Sequence, residues 1–332
     1  MTRRWGLLLL AAAALTLLAG RWASVAYAEW RWYEAIGALE VYRSALAHDA
    51  AWRVGTGVAA FAFAFLNLYV LRRSIVSLVL PRRLGNLEIG EVVSGRRLLA
   101  VVVALSAVIA IGLSSPPGDW TTFAFARIAG PFHEMDPYLD RDLSFVMAWL
   151  PFERQVHDWA EAVVVVVAVL TIAMYALTPS LRIRRGGVYV SAWCRRHLAT
   201  LAAVGLVLLA WKARLDSVGM TSLVEDGGQA FGAFEHRIGM SAAMWISLAT
   251  FAAAFIVFWG GWHGHGRIAA LAGILACVAG PLVLAGLPSV TSRGLTESER
   301  GDSDRPYATT RRLFTRRAFG GDAIDTAAGR LD

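Results

Sequence analysis

The chain has 332 residues, of which 57% are hydrophobic and 17% are charged. Soluble globular proteins carry about 25% charged residues, so this composition excludes an ordinary soluble domain. Its two cysteines, Cys194 and Cys277, exclude a disulfide framework and match no zinc spacing. The net charge of +7 has two explanations, nucleic-acid binding or a membrane orientation signal, which the positions of the arginines can separate.

Seven apolar stretches approach the length that a bilayer-crossing helix needs, about 20 predominantly apolar residues. They predict an all-α integral membrane protein with about seven transmembrane helices and interfacial amphipathic helices. The predicted spans are residues 5–28, 52–71, 98–115, 159–177, 197–211, 240–259 and 268–287. Residues 1–287 form the predicted transmembrane domain, and residues 288–332 form an extracytoplasmic C-terminal tail.

The first stretch has a second interpretation, a cleaved signal peptide. Arg3 and Arg4 precede an apolar core, and residues 26–28 form a small-x-small cleavage pattern. The stretch is long for a signal peptide and contains Arg21, so we favour an uncleaved span.

Arginines mark one side of the predicted membrane domain. The segments between spans two and three and between spans four and five hold two dense clusters, which comprise Arg72, Arg73, Arg82, Arg83, Arg96, Arg97, Arg182, Arg184, Arg185, Arg195 and Arg196. The positive-inside rule makes these segments cytoplasmic, with the N-terminus inside and the C-terminus outside a bacterial plasma (inner) membrane. Because the arginines flank spans, we predict contacts with membrane lipids rather than nucleic acid, and no cofactor beyond bound lipids.

Tryptophan side chains favour the headgroup level of a bilayer, and most of them fall at the ends of predicted spans. The predicted outer anchors are Trp30, Trp32, Trp52, Trp159, Trp211 and Trp245, and the inner anchors are Trp193, Trp259 and Trp262. Two segments, Glu29–Asp49 and Leu80–Gly95, are predicted to lie in the interface as amphipathic helices.

The longest outer loop, Pro116–His157, is acidic. Its aspartates Asp136, Asp140 and Asp142 are candidate calcium ligands, because calcium prefers several oxygen ligands. The alternative is turn and helix-cap chemistry, for which aspartate is equally suited, and no EF-hand spacing is present.

Two further candidate sites involve histidine. Glu153, His157 and Glu161 stand at i, i+4 and i+8 and could bind a metal from one side of a helix, although a hydrated helix start explains them as well. His197 is the histidine nearest to a span interior and therefore the candidate ligand for a haem-like cofactor.

The spans contain almost no charge at mid-depth, which argues against ion-coupled transport. Asn67 and Thr171 are buried polar residues near which a transporter would have its cavity. The last span carries a stripe of small residues, which indicates close packing within the bundle or docking of another protein, and consists of Ala269, Gly273, Ala276 and Gly280.

Several stretches resemble one known family. Asp136-Pro137, Asp142-Leu143-Ser144-Phe145 and Leu150-Pro151-Phe152 together resemble the signature of uncharacterised protein family 0182, whose members are large membrane proteins of bacteria and some archaea. Similar stretches occur in the same order along the chain, namely Trp30-x-Trp32-Tyr33, His197-Leu198 and Arg305-Pro306-Tyr307.

The resemblance implies seven spans joined to a large extracytoplasmic C-terminal domain, and it implies no catalytic residue. This sequence stops at Asp332, soon after the Arg305-Pro306-Tyr307 stretch, so we expect either a natural short form or a truncated product. Four arginines of the tail fall on the predicted outer side without an explanation from the positive-inside rule, namely Arg311, Arg312, Arg316 and Arg317.

These observations favour a non-enzymatic membrane protein, a structural or accessory subunit that docks on a larger membrane complex. The first alternative is a transporter or lipid-handling protein. The second is an enzyme with its site in the outer acidic loop, although the sequence contains no Gly-x-Ser-x-Gly elbow, Walker loop or His-Glu-x-x-His motif.

Overall fold

A computed structural model describes residues 2–76, 95–115, 120–178, 180–184, 187–222, 231–291 and 296–320. Most of these residues are helical, which confirms the predicted all-α class. The α-helices are α1 (Thr2–Ala35), α2 (Leu39–Val76), α3 (Gly95–Leu113), α4 (Trp120–Ile128), α5 (Leu150–Ala176), α6 (Ala192–Gly219), α7 (Met240–His263), α8 (Gly266–Thr291) and α9 (Glu297–Ala318). The predicted interfacial helix Leu80–Gly95, apart from Gly95, lies outside the described residues, as do Arg82, Arg83 and Arg185.

Six helical segments have the length and apolar composition to cross a membrane. They are Leu39–Arg72, Gly95–Leu113, Phe145–Ala176, Ala192–Gly219, Glu235–His263 and Gly266–Leu287, and they contain the second to seventh predicted spans almost entirely. The first predicted span, residues 5–28, lies within α1, a single helix of 34 residues. The protein is therefore a polytopic α-helical membrane protein.

The sequence predicts a separate interfacial helix over the aromatic segment Glu29–Asp49, and the structure shows a different arrangement. The structure divides it between the end of α1 and the beginning of α2. The break falls at Gly37, whose φ of 72° is a left-handed conformation that glycine adopts without strain. Tyr42 packs back against Trp30 and Tyr33, with ring centroids 6.2 and 5.2 Å apart, so the two helices form an aromatic-lined hairpin.

Two short antiparallel hairpins interrupt the helices. In the first, β1 (Met135–Asp136) pairs with β2 (Arg141–Asp142), and Met135 lies opposite Asp142. In the second, β3 (Leu181–Arg184) pairs with β4 (Gly187–Val190) in the predicted cytoplasmic segment before α6. The hairpins lie at opposite ends of α5, which connects them.

The core of the bundle lies among α2, α3, α5 and α6. Its buried side chains include Leu68, Val102, Val167 and Tyr175. Lipid tails are as apolar as these side chains, so the hydrophobic effect gives the helices no reason to leave the lipid and pack together. Close packing of complementary helix surfaces therefore stabilises the bundle.

The small-residue stripe of α8 packs inside the bundle, against α7. Ala276 contacts a second buried cluster that includes Val257. A methyl group added at Gly280 would lie 2.9 Å from Cγ2 of Ile246, a distance that leaves no room for a side chain. The stripe therefore serves helix packing within the chain.

Candidate functional site

Three segments that are distant in sequence meet at one end of the bundle. They are the β1–β2 hairpin (131–144) before α5, the segment Phe231–Gly239 before α7, and α9 after α8. We call this assembly the cap layer. Each of α5 and α7 begins there with a π-helical turn, Phe145–Trp149 and Glu235–Gly239 respectively.

The start of α9 is fixed by a capping box. The Thr296 side chain accepts a hydrogen bond from the Glu299 backbone N–H, and the Glu299 carboxylate accepts one from the Thr296 backbone N–H. These bonds satisfy amide groups that the first helical turn otherwise leaves unpaired. Hydrogen bonds to the Glu299 carboxylate from the Thr296 backbone N–H and then from the Thr296 hydroxyl lower the pKa of Glu299 below its usual value.

The aspartates of the hairpin hold its backbone. The Asp136 Oδ1 accepts hydrogen bonds from the backbone N–H groups of Tyr138 and Leu139, at 2.8 and 2.9 Å. Asp140 occupies the turn with a φ of 51°, a left-handed conformation that aspartate tolerates better than most residues. This arrangement is the turn chemistry that the sequence offered as the alternative to calcium.

Asp142 organises the backbone on both sides of β2. Its carboxylate accepts hydrogen bonds from the backbone N–H groups of Phe132, His133 and Ser144 at 2.8 to 2.9 Å. Hydrogen bonds from the Ser144 side chain first, and then from these N–H groups, lower the pKa of Asp142 from 3.8 to about 2. Both Asp136 and Asp142 therefore have structural roles in the loop.

Four aromatic rings join the three segments of the cap layer. Tyr138 of the hairpin stacks on Tyr307 of α9, with ring centroids 5.3 Å apart and an angle of 19°. Phe231 contacts both tyrosines, and the Nδ1 atom of His236 lies 2.9 Å from the Tyr307 hydroxyl. Tyr138 directly follows Asp136-Pro137, and Tyr307 belongs to Arg305-Pro306-Tyr307, so two stretches that carry the family resemblance lie close together in space.

Polar contacts lock α9 onto the same surface. The Asp304 carboxylate accepts a hydrogen bond of 2.8 Å from the Ala233 backbone N–H. A side chain at Gly232 would collide with that carboxylate, since an added Cβ would lie 2.6 Å from Asp304 Oδ1. At the other end of α9, Arg317 forms an ion pair of 3.0 Å with Glu134.

A cavity of about 230 Å³ lies between the hairpin and α9. Asp136 and Tyr138 line it on one side, and α9 lines it on the other with residues three or four positions apart, namely Tyr307, Thr310, Arg311, Phe314 and Thr315. The Nη1 atom of Arg311 is buried and has no hydrogen-bond partner among the described residues. The cavity therefore combines aromatic walls with an unpaired cationic group.

The predicted metal residues of α5 separate into two groups. Glu153 accepts a hydrogen bond from Trp211 and pairs with Arg214, both at 2.8 Å. His157 and Glu161 instead lie together with Asp158, and one ligand atom from each falls within 4.8 Å of the others.

The imidazole of His157 already has neighbours on both sides. Its Nε2 lies 3.0 Å from the Leu208 carbonyl oxygen, and its Nδ1 lies 3.1 Å from Asp158 Oδ1. Asp158 and Glu161 are exposed. Exposed acidic groups of this kind are common in proteins without a metal, so this cluster is not assigned as a metal site.

His197 is held in a buried chain of hydrogen bonds. Its Nδ1 lies 2.9 Å from the Tyr175 hydroxyl, and its Nε2 lies 2.9 Å from Oδ1 of Asn67. The Asn67 amide in turn donates to the Phe63 carbonyl oxygen at 2.8 Å. Both ring nitrogens of the predicted cofactor ligand therefore have partners within the bundle.

The predicted anchors of the interfaces show varied contacts. Trp159 donates a hydrogen bond to the Leu113 carbonyl oxygen, which ties α5 to the end of α3. Trp245 is 72% exposed on the surface of α7. At the opposite end of the bundle, Arg196 lies over the ring of Trp262, and Arg195 donates to the Gly261 carbonyl oxygen. Arg195 and Arg196 thus also join α6 to α7.

Sequence reasoning singled out Asp136 but missed the histidine and arginine of the cap layer. In the sequence, Arg311 is an outer charge that the positive-inside rule does not explain, and His236 falls in a loop or at a span end, which makes it a weaker candidate ligand than His197. A usable signal was the spacing of Tyr307, Arg311 and Phe314, which places all three on one face of a helix.

Comparison with known proteins supports the family resemblance. The model of the uncharacterised protein family UPF0182 matches residues 6–330. A UPF0182 protein of Geobacter sulfurreducens is 26% identical over 98% of this chain and 37% of its own length. A UPF0182 protein of Desulforamulus reducens is also 26% identical, with the same coverage of 98% and 37%.

The similarity extends to other bacterial groups. A UPF0182 protein of an Arthrobacter strain is 30% identical over 56% of this chain and 19% of its own length. The chain thus spans well under half the length of these relatives. No solved structure matches it. The family model matches nearly the whole length of this polytopic helical bundle. The chain therefore belongs to the uncharacterised protein family UPF0182.

Proposed function

We propose that the protein is a non-enzymatic, multi-pass subunit that docks on a larger membrane complex through its cap layer. The observation that carries this proposal is the meeting of Tyr138 and Tyr307, 5.3 Å apart although 169 positions separate them in the sequence. These stretches meet outside the helical segments that can span a membrane, which supports a role for this surface in contact with a partner. The positive-inside rule predicts that this surface lies outside the plasma membrane.

The cap layer is suited to docking because several contacts join its parts. Stacked rings, the Asp304 hydrogen bond and the Arg317–Glu134 ion pair connect α9 to the hairpin and to the segment before α7. A preorganised surface binds a partner with less loss of conformational entropy than a mobile segment does.

The charge of α9 defines the partner. Its second half, Tyr307–Ala318, contains four arginines and no acidic residue, although Arg311 lines the cavity and Arg317 pairs with Glu134. Arg312 is exposed on the face away from the cavity, and Leu313 beside it is 44% exposed. This combination of positive charge and apolar surface favours an acidic polypeptide, which complementary charge would orient.

Site-specific photo-crosslinking tests the proposal. A benzophenone amino acid would replace Leu313 on α9, and the matched control would carry it at Leu282, which is 66% exposed on α8. Irradiation of native membranes should give a discrete protein adduct from position 313 and none from position 282. Adducts with lipid alone, or uncrosslinked chain alone, would refute a docking role.

A second candidate function, lipid handling or transport, is favoured by one observation. The Thr171 hydroxyl is fully buried in the bundle and has no hydrogen-bond partner among the described residues. Buried polar groups without partners are rare and deserve an explanation. Vesicles that contain the purified protein and a fluorescent phospholipid would test this candidate, because scrambling that the Thr171→Val variant abolishes would support it over docking.

A further inference from the structure

The cavity of the cap layer has the dimensions of a site for a small molecule. Its volume of about 230 Å³ is slightly below the lower end of typical ligand pockets, roughly 300 Å³, so it can hold one ring or a short branched chain. It lies outside the helical segments that can span a membrane, which end before α9. A water-soluble ligand can therefore reach it.

Arg311 gives this cavity its chemical character. A guanidinium group stays charged at any pH that a protein experiences. Its Nη1 atom is buried, and no carboxylate within the described ranges lies at ion-pair distance from Arg311. Arg311 as a whole is only partly buried, but a buried guanidinium nitrogen without a hydrogen-bond partner is unfavourable, which favours an anion in this cavity.

The remaining walls favour an apolar ligand body. The rings of Tyr138, Tyr307 and Phe314 contribute flat faces. The hydroxyl groups of Thr310 and Thr315 donate to carbonyl oxygens of α9 itself, at 3.1 and 2.9 Å, so these residues turn few free polar groups toward a ligand. Arg311 is thus the cationic group available for recognition in this cavity.

The type of anion follows from geometry and charge. The planar guanidinium fork matches a planar carboxylate in two parallel hydrogen bonds. The carboxylate of Asp136 also lines the cavity, and its negative charge disfavours a dianion such as phosphate more than a monoanion.

We propose that the cap-layer cavity binds a small carboxylic acid with an aromatic or branched apolar body, and that Arg311 holds its carboxylate while Tyr138 and Phe314 contact the body. The site goes beyond the docking role and does not depend on it. Crosslinking at Leu313 tests docking without involving Arg311, so the two proposals fail separately.

Fluorine NMR on the purified full chain in detergent micelles provides the test. The probes are 4-fluorobenzoate, its neutral analogue 4-fluorobenzamide, and inorganic phosphate as a competitor. Empty micelles correct for partitioning of the aromatic probes. We expect saturable binding of 4-fluorobenzoate, binding of the amide that is weaker by about tenfold or more, and little competition from phosphate.

Three variants locate the site. Arg311→Gln should weaken 4-fluorobenzoate binding by about tenfold or more, because the charged hydrogen-bond donor is lost. Arg312→Gln, the matched control on the exposed face of the same helix turn, should leave it unchanged. Thr310→Phe keeps the arginine but fills the cavity, and it should abolish binding.

Other outcomes would overturn the proposal. Equal binding by the native chain and Thr310→Phe, or equal loss in Arg311→Gln and Arg312→Gln, would place the ligand elsewhere. Tighter binding of phosphate than of 4-fluorobenzoate would refute the carboxylate assignment. If Arg311→Gln fails to fold, Thr310→Phe and the comparison of acid with amide still decide the question.

Discussion

Tyr175→Phe should destabilise the helical bundle, because it removes one link of the buried chain that joins Tyr175, His197 and Asn67. The Asn67 amide donates to the Phe63 carbonyl, which directs its Oδ1 toward Nε2 of His197. Nε2 therefore carries the imidazole hydrogen, and Nδ1 accepts from the Tyr175 hydroxyl at 2.9 Å. Without that hydroxyl, Nδ1 remains buried without a donor.

The expected loss is about 1–2 kcal/mol of unfolding free energy. Leaving a buried acceptor unsatisfied costs about 1–3 kcal/mol in soluble proteins. Hydrogen bonds between membrane helices average about 0.6 kcal/mol and reach about 1.7 kcal/mol, which sets the lower part of the range. Tyr175 is fully buried, so water cannot replace the missing donor.

Unfolding of the purified protein in mixed detergent micelles, driven by increasing SDS, would measure this loss. Tyr69→Phe is the matched control, because Tyr69 is 37% exposed on α2. The double variant with Asn67→Leu should show coupling of about 0.5 kcal/mol or more, since both residues bond to one imidazole. Equal stability of Tyr175→Phe and Tyr69→Phe, with no coupling, would refute the reasoning.

The remaining predictions concern helix packing, pH and α9. Gly261→Ala should lower the melting temperature in detergent, because the added Cβ would lie 2.0 Å from Cβ of Ala199. The control Gly205→Ala should leave the melting temperature unchanged, because its added Cβ would have no neighbouring atom within 4 Å. Equal melting temperatures of the two variants would contradict this packing. Because the folded pKa of Asp142 is depressed from 3.8 to about 2, its stabilisation of the hairpin is complete above about pH 4 and is lost as the pH falls toward 2. Proteolysis of the hairpin should therefore accelerate over that range, and Asp142→Asn should remove the pH dependence. Tyr307→Ala should increase hydrogen exchange at Phe231 without changing exchange in α5, and unchanged exchange at Phe231 would contradict the stacked cluster.

Hydropathy was sufficient to locate the second to seventh spans, although it shortened the fifth. Residues 197–211 were predicted, and α6 continues to Gly219. Its charged end is stable because Arg214 pairs with Glu153 at 2.8 Å and Lys212 approaches Asp216 at 3.8 Å. A hydropathy profile shows neither the pairing of Arg214 with Glu153 across two helices nor the pairing of Lys212 with Asp216 within α6.

The cap layer shows where sequence reasoning reaches its limit. The Asp-Pro and Arg-Pro-Tyr stretches were recognised separately, but their contact depends on how the bundle brings the helix ends together. The polar composition of α9 gave no hydropathy signal, although the Thr296-x-x-Glu299 pattern was a visible start signal for a helix. The sequence did offer a turn role for Asp136 as the alternative to calcium binding, because the preference of aspartate for turns is local and does not depend on the surrounding fold.

The order of synthesis gives the cap layer a further consequence. Its three parts emerge from the ribosome far apart in time, with the hairpin first, Phe231 after α6, and α9 last. Until α9 arrives, Tyr307 cannot cover Tyr138 and Phe231, so the nascent chain exposes an aromatic surface throughout its insertion. Closure of this surface requires the hairpin, the segment before α7 and α9 to lie on the same side of the membrane. We therefore expect that a chain with one of the intervening helices wrongly inserted would separate these parts and leave the aromatic surface open.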